Sequence, residues 1–153
     1  WEDDATASYY RREGFINVMN EYGLAIPDGF ITYGANEEAH GRNSFNRLYQ
    51  LPKSERPTAL VCSSDLEAIG AMNAAEEAGY EVGKDISIIG FDDVPMSQYL
   101  RPALTTLRQP IQEVATLLIT MLKASINKKP IKQRQRVIPP ELIIRASTGP
   151  APE

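Results

Sequence analysis

Two short and almost unbroken apolar runs constrain the fold of this chain more than any other feature. They occupy residues 58–62 (TALVC) and 85–90 (DISIIG), and a segment with helical spacing separates them. Apolar runs of strand length, without polar alternation, are typical of parallel strands that are covered on both faces. We therefore expect an α/β fold with a parallel sheet, helices on both faces of it, and residues 58–62 as a central strand.

The rest of the chain continues this alternation of helices and strands. The spacing of apolar residues predicts helices over residues 5–22, 37–50, 64–79 and 111–126. Runs rich in β-branched and aromatic residues predict strands at 29–33 and 104–107, and a broken final strand over 137–144. Residues 91–103 form a loop of about a dozen residues, and ordered loops of that length at strand ends are often functional.

The composition narrows the classes of function. The chain has 153 residues, 42% of them hydrophobic, which suits one globular domain. A net charge of −4 argues against a surface that binds the phosphate backbone of DNA. The single cysteine, Cys62, excludes an internal disulfide, and the single histidine, His40, excludes a histidine-rich metal site, so we expect neither a metal nor a cofactor. No apolar run approaches the ~20 residues of a membrane span.

Polar segments follow three of the predicted strands. They are residues 34–38 (GANEE), 63–65 (SSD) and 91–93 (FDD). In open α/β sheets, ligands bind outside the carboxyl ends of the strands. The chain has no glycine-rich phosphate loop and no G-x-S-x-G turn, so neither a nucleotide nor a serine nucleophile is indicated. Carboxylates and hydroxyls with one or two arginines suit a sugar instead, because each sugar hydroxyl both donates and accepts hydrogen bonds.

Some residues at these strand ends have a structural interpretation beside the functional one. Ser64 begins a capping-box pattern that ends at Glu67, so its hydroxyl can cap a helix instead of binding a ligand. Asp65, at the first helical position, is equally suited to interact with the helix dipole. A functional role is favoured for Asp92, which follows a buried-type strand and has a second aspartate beside it.

Several strings in this sequence resemble the LacI/GalR family of bacterial transcriptional repressors. The strings are TALVCSSD (58–65), DISIIGFDD (85–93), LTTLRQP (104–110), PELIIRAST (140–148) and the shorter RREGF (11–15). They occur in the family's order and at its spacing, over nearly the whole chain. The resemblance implies two α/β subdomains of the periplasmic-binding-protein-like type I fold around an effector cleft, joined to an N-terminal helix-turn-helix headpiece.

Compared with the family pattern, the chain resembles an incomplete, C-terminal part. The headpiece, most of the first subdomain, and the helix and strand that open the second subdomain would be absent. The resemblance implies that residues 1–107 belong to the C-terminal effector-binding subdomain and that residues 108–130 cross to the N-terminal subdomain as a helix. Residues 131–153 would form the final strand and tail. DNA would be bound only through the headpiece, outside this chain.

The resemblance also implies which residues bind the effector. Arg11 and Asp92 match the family's effector-binding arginine and aspartate, and Gln109 matches a glutamine that lines the cleft. These positions agree with the strand ends identified above.

Two positions depart from the family pattern. Ser64 stands where the family usually has asparagine before Asp65, and Asn36 stands where it often has an aromatic residue that stacks on the ligand. We nevertheless keep Asn36, Ser64 and Asp65 as candidate ligand-binding residues. The identity of the ligand is left open by these departures.

A helix after the first apolar run indicates a surface for self-association. The larger residues of this helix lie at three- and four-residue spacing, and an alanine-rich face lies beside them. From the sequence alone, packing of the larger residues on the sheet is the favoured interpretation. The resemblance assigns Ile69, Met72 and Leu100 to the dimer contact of the family, so we expect a homodimer.

Hypotheses from different classes remain open. The first is the effector-sensing domain of a cytoplasmic bacterial regulator, which binds a sugar or sugar derivative, acts through a homodimer and is not an enzyme. The second is a periplasmic sugar-binding protein that delivers its ligand to a transporter. An α/β enzyme that uses Asp92 as an acid or base is less well supported, because no companion nucleophile or metal set accompanies this residue.

Overall fold

The computed structural model describes residues 6–131 and 133–152, so the first residues of the predicted 5–22 helix and of the 1–107 subdomain lie outside the described residues. In this part of the chain, the order of helices and strands follows the sequence prediction, except that no strand lies between the first two helices. The helices are α1 (Thr6–Glu21), α2 (Glu38–Tyr49), α3 (Asp65–Glu77) and α4 (Ile111–Ile126). The strands are β1 (Ala59–Val61), β2 (Ser87–Asp92), β3 (Thr105–Arg108) and β4 (Glu141–Ile143). Short 3-10 turns occupy Lys53–Glu55 and Pro95–Gln98.

The strands form one sheet in the order β1-β2-β3-β4. β1 pairs with β2 and β2 pairs with β3 in parallel, which confirms the α/β prediction. The final strand differs, because β4 runs antiparallel to β3. β4 lies at the edge of the sheet and Leu142 is 50% exposed, so this strand needs neither the long apolar run nor the crossover of a buried parallel strand.

Two expectations about strands are wrong in the described structure. Residues 29–33 were expected to form a strand, yet they are irregular, and their neighbourhood is set by a turn in which Phe30 N donates to Pro27 O at 3.1 Å. A β-rich run becomes a strand only when a partner is beside it, and no described segment pairs with this one. β1 lies at the other edge of the sheet instead of its centre, and Val61 is 47% exposed.

The core is built around α3, which packs against both α2 and the sheet. The helices α2 and α3 approach closely where each has a glycine. A Cβ on Gly41 would collide with the carbonyl of Glu67, and a Cβ on Gly70 would collide with the carbonyl of Glu38. Fully or almost fully buried apolar side chains complete the core, and they include Phe45, Met72, Ile86, Ile88 and Leu104.

The helix α4 contrasts with α3, because none of its residues is buried. It has a marked apolar face, yet Leu118 is 61% exposed, Leu122 is 55% exposed and Ile126 is 70% exposed. No helix in the described part of the chain is both long and apolar enough to cross a membrane. The apolar face of α4 is therefore left uncovered by the rest of the described chain.

The carboxylate of Asp65 connects the start of α3 to two other parts of the fold. Asp65 is fully buried. Its Oδ2 accepts hydrogen bonds from Val94 N at 2.9 Å and from Ser97 Oγ at 2.6 Å. Its Oδ1 accepts from Thr106 Oγ1 at 2.5 Å, and a Cβ on Gly90 would collide with this oxygen. One buried group thus holds the loop after β2 and the strand β3 against α3.

We expect Asp65→Asn to lower the free energy of unfolding by about 2–5 kcal/mol, because an amide nitrogen would face donors that now share a carboxylate. Urea unfolding followed by circular dichroism at pH 7 measures the change. The matched control is Asp28→Asn at an exposed turn, which should stay within about 0.5 kcal/mol of the parent chain. Equal stability of the two variants would contradict the role of Asp65.

Candidate functional site

The carboxyl ends of the three parallel strands bring several of the predicted residues together. β2 ends at Asp92, and Gln109 follows the end of β3. Gln109 Nε2 donates a hydrogen bond to Asp92 Oδ1 at 2.5 Å. Both side chains are half-buried. Residues that are 17 positions apart in the sequence thus present an amide and a carboxylate side by side at one edge of the sheet.

Arg11 reaches the same edge from α1. Its Nη1 donates to the carbonyl oxygen of Ser63, just beyond β1, at 2.9 Å. Its guanidinium carbon lies 3.7 Å from the centre of the Phe91 ring, which is a cation–π contact. A guanidinium carries five N–H donors, so one bond to Ser63 leaves it able to donate to a ligand as well. Phe91 is a further candidate site residue, which the sequence analysis missed although it lies within the FDD segment.

The backbone at the end of β2 is strained. Asp92 has a φ of 119° and Asp93 has a φ of 55°, and neither residue is glycine. Backbone conformations of this kind cost about 1–3 kcal/mol each and persist only where the surrounding contacts impose them, which is common at ligand sites. The strain therefore supports a functional interpretation of this turn.

Asp93 lies beside this site but faces other partners. Its Oδ1 accepts from Arg145 Nη2 at 2.6 Å, and its Oδ2 accepts from Arg108 Nε at 2.6 Å. Burial alone would raise the pKa of Asp93, but the hydrogen bonds from the two arginines outweigh it and hold the pKa of this carboxyl below its ordinary value. Asp93 is therefore ionised at neutral pH, and its side chain is 8% exposed.

Ser64 and Asn36 contact each other at the start of α3. The Ser64 hydroxyl accepts from Glu67 N at 3.3 Å, so the predicted helix cap is confirmed, and the same hydroxyl donates to Asn36 Oδ1. The second half of the capping box differs from expectation. Glu67 Oε2 accepts from Ser63 N at 2.9 Å and Ser63 Oγ at 2.8 Å, one residue before the cap.

His40 has a buried partner that sequence analysis did not identify. Its Nδ1 lies 3.0 Å from Oε1 of Glu67, which is itself almost fully buried. The two residues are 27 positions apart, and no motif joins them. This pair lies beside Ser63 and supports the backbone that Arg11 contacts.

The other candidates are less accessible than expected. Asp65 is fully buried and its carboxylate is engaged by the bonds described above, which matches its structural interpretation. Among the expected dimer residues, Met72 is only 3% exposed and packs in the core. Ile69 and Leu100 are half-buried, and Leu100 packs against the core cluster.

A separate cavity of about 500 Å³ lies beside the free edge of β1. Its walls are mainly apolar and include Phe15, Leu24, Phe30 and Leu60. None of the six candidate ligand-binding residues lines it. A polar ligand would be better matched by the Asp92, Gln109 and Arg11 cluster than by this cavity.

Comparisons with known proteins identify a fold family that is consistent with the α/β sheet and its polar edge. A family model described as a periplasmic binding protein-like domain matches residues 2–148. The HTH-type transcriptional repressor PurR of Serratia proteamaculans is 36% identical over 142 residues, which are 93% of this chain and 41% of the repressor. The chain thus spans about two fifths of the length of this curated relative.

Comparison with solved structures also finds transcription regulators that are similar to this chain. A regulatory protein of the LacI family from Chloroflexus aggregans is 40% identical, with a TM-score of 0.93 over 97% of this chain and 53% of that protein. A sugar-binding transcriptional regulator of the LacI family from Escherichia coli, complexed with phosphate, is 30% identical. Its TM-score is 0.88, over 98% of this chain and 52% of the regulator.

The lowered pKa of Asp93 predicts how stability depends on pH. Because the folded-state pKa lies below the unfolded value, the stabilisation by Asp93 is complete above the unfolded pKa and is lost as pH falls through the folded pKa. Asp93→Asn should therefore lower the unfolding free energy by about 1–3 kcal/mol at pH 7, and the difference from the parent should shrink below about pH 4.

Urea unfolding at a series of pH values measures this difference. The control is Glu77→Gln, which breaks an exposed ion pair with Arg42 and should change stability little at pH 7. A constant difference between the parent and Asp93→Asn from pH 7 to pH 3 would contradict the assignment of the charge to Asp93.

Proposed function

Because this chain belongs to the periplasmic binding protein-like domain family and matches LacI-family regulators over nearly all of its length, we propose that it is the effector-sensing part of a transcription regulator. The effector is a sugar or sugar derivative. The protein that contains the chain binds DNA through a headpiece outside residues 1–153, acts in the bacterial cytoplasm and is not an enzyme. The net charge of −4 supports the assignment of DNA binding to another part of the protein.

The observation that carries this proposal is the polar cluster at the strand ends. Asp92 offers a carboxylate, Gln109 an amide and Arg11 a guanidinium, from three different parts of the chain. Together they can accept from and donate to neighbouring hydroxyls of one polyol, which suits a sugar. Asn36 and Ser64 extend the same polar edge. Asp65 is left out of the contacting set, because its carboxylate is used inside the fold.

The uncovered face of α4 supports the division of the chain. Residues 1–107 form the C-terminal subdomain, residues 108–130 cross to an N-terminal subdomain, and residues 131–153 return as the final strand and tail. In this arrangement, the apolar face of α4 that includes Leu118 and Leu122 packs against the N-terminal subdomain. The effector cleft lies between the two subdomains, and closure of the cleft transmits the signal.

The signal passes through a homodimer. Ile69 on α3 and Leu100 lie near exposed apolar side chains that are available for a symmetric contact, namely Leu66, Met96 and Tyr99, which are 49%, 58% and 68% exposed. Met72 is not included, because it packs inside the chain. The dimer surface is therefore formed by the outer face of α3 and the loop 95–100.

The alternative is a periplasmic sugar-binding protein that serves a transporter. Such a protein shares the fold and can bind the same ligand class without a dimer. The regulator is favoured, because the similar proteins described above are a transcriptional repressor and LacI-family regulators. The number of subunits in solution separates the two hypotheses.

We expect Asp92→Ala and Arg11→Ala to weaken effector binding by about tenfold or more, since each removes a charged hydrogen-bonding partner. A panel of glucose, galactose, ribose and sucrose is first tested for thermal stabilisation of the full-length protein, and the sugar that stabilises it is titrated by calorimetry. Asp28→Ala serves as the matched control and should bind normally. Unchanged affinity of Asp92→Ala, with native circular dichroism, would remove Asp92 from the site.

We expect the full-length protein to be a dimer, and the pair Leu66→Glu and Tyr99→Arg to give monomers, because a buried unpaired charge costs several kcal/mol. These side chains are exposed, so the substitutions should leave the fold intact, unlike a charge at half-buried Leu100. Sedimentation velocity at tens of micromolar measures the state. An exposed turn position outside α3 and the loop 95–100, Asp28→Arg, is the control. A monomeric parent protein would favour the transporter hypothesis.

A further inference from the structure

Asp92 and Asp93 are neighbours in the sequence, but their carboxylates have different partners. Asp92 Oδ1 accepts from Gln109, whereas Asp93 accepts from Arg108 and Arg145. We propose that Asp93 is a positioning residue, whose two arginine contacts hold the end of β2 in the conformation that directs the Asp92 carboxylate to Gln109. The proposal concerns the free protein, and its significance for effector binding rests on the proposed function.

The backbone provides the first argument. Two consecutive residues have positive φ, which the chain would not adopt without an external restraint. Val94 N donates to Asp65, which anchors the turn on its far side. Asp93 lies between this anchor and Asp92, so a restraint on its side chain restrains the same strained turn.

The arginines provide the second argument, because they are themselves held. Arg145 Nη1 donates to Leu104 O at 2.7 Å, and its backbone N donates to Thr105 Oγ1 at 2.9 Å. Arg108 is the register partner of Asp92 in the sheet, so its backbone is held by the β2–β3 ladder. Asp93 is thus attached to two groups whose positions are set by β3.

The two arginines are not equivalent. The side chain of Arg145 is 16% exposed, whereas that of Arg108 is 48% exposed and also lies 3.5 Å from Glu141. Solvent weakens the Arg108 pair more than the Arg145 pair. Arg145 is therefore the main partner, and its loss should disturb Asp92 more than the loss of Arg108.

The position of these arginines also connects the site to the rest of the chain. Arg108 ends β3, from which the chain enters α4, and Arg145 follows β4. A shift of either connection would move Asp93 and, through it, the Asp92 carboxylate. The contact thereby links effector binding at Asp92 to the two chain segments that leave the subdomain.

The test reads the Asp92–Gln109 contact directly in the ligand-free protein. The Gln109 side-chain amide is observed by proton–nitrogen NMR in the parent, in Asp93→Ala and Asp93→Asn, and in Arg145→Met and Arg145→Lys. Asp92→Ala, which removes the acceptor, defines the signal of the broken contact. Glu77→Gln is the matched control, because it also removes an ion pair with an arginine, far from the site.

We expect Asp93→Ala and Arg145→Met to move the Gln109 signals at least half of the way to their position in Asp92→Ala. Arg145→Lys should restore part of the shift, and Glu77→Gln should leave the signals in place.

Gln109 signals at the parent position in folded Asp93→Asn and Arg145→Met would overturn the proposal. If Asp93→Ala does not fold, Asp93→Asn and Arg145→Met test the proposal by the same readout. The result is separate from the proposed function. Shifted Gln109 signals in a protein whose sugar affinity does not depend on Asp92 would support the positioning role and reject the effector site, whereas unshifted signals with an Asp92-dependent affinity would do the reverse.

Discussion

The carboxylate of Asp65 is completely buried, and donors from the loop after β2 and from β3 converge on it. A buried charge is tolerated only where its hydrogen bonds are satisfied, so the positions of Val94, Ser97 and Thr106 relative to α3 are closely restricted. The absence of a side chain at Gly90 allows the sheet to approach this carboxylate. The polar edge of the sheet depends on this arrangement, because the same loop directly follows Asp92 at the end of β2.

Three aspartates at this edge have distinct tasks that follow from their surroundings. Asp65 is fully buried and supports the loop. Asp93 is nearly buried and bound by two arginines, and both of these contacts lower its pKa. Asp92 is half-buried and contacts only a neutral amide among the partners described here, which suits a group that exchanges this contact for a ligand. Burial and partner charge, and not residue type, separate the three.

Predictions from the sequence were correct where a local pattern is sufficient to specify the element. The apolar run 85–90 predicted β2, the Ser64 cap predicted the start of α3, and apolar spacing predicted α4 with its observed bounds. Predictions failed where the structure of a segment depends on which strand pairs with it. Residues 29–33 have strand composition without a strand, β1 lies at an edge despite its apolar run, and β4 reverses direction. Which strands pair is determined by the tertiary structure, and the composition of a single strand does not specify its partner.

For the candidate site, the sequence alone determined which segments meet, because parallel strands end at one edge and the polar segments after them must lie together. That rule brought Ser64 and Asp92 to the same region, whereas Gln109 was identified by the family resemblance. Only the tertiary structure decided what each group faces. It turned Asp65 inward, placed Arg11 on Phe91, and gave Asp93 two arginines from positions 15 and 52 residues away. Contacts between residues so far apart depend on how helices pack on the sheet, and no local pattern in the chain specifies them.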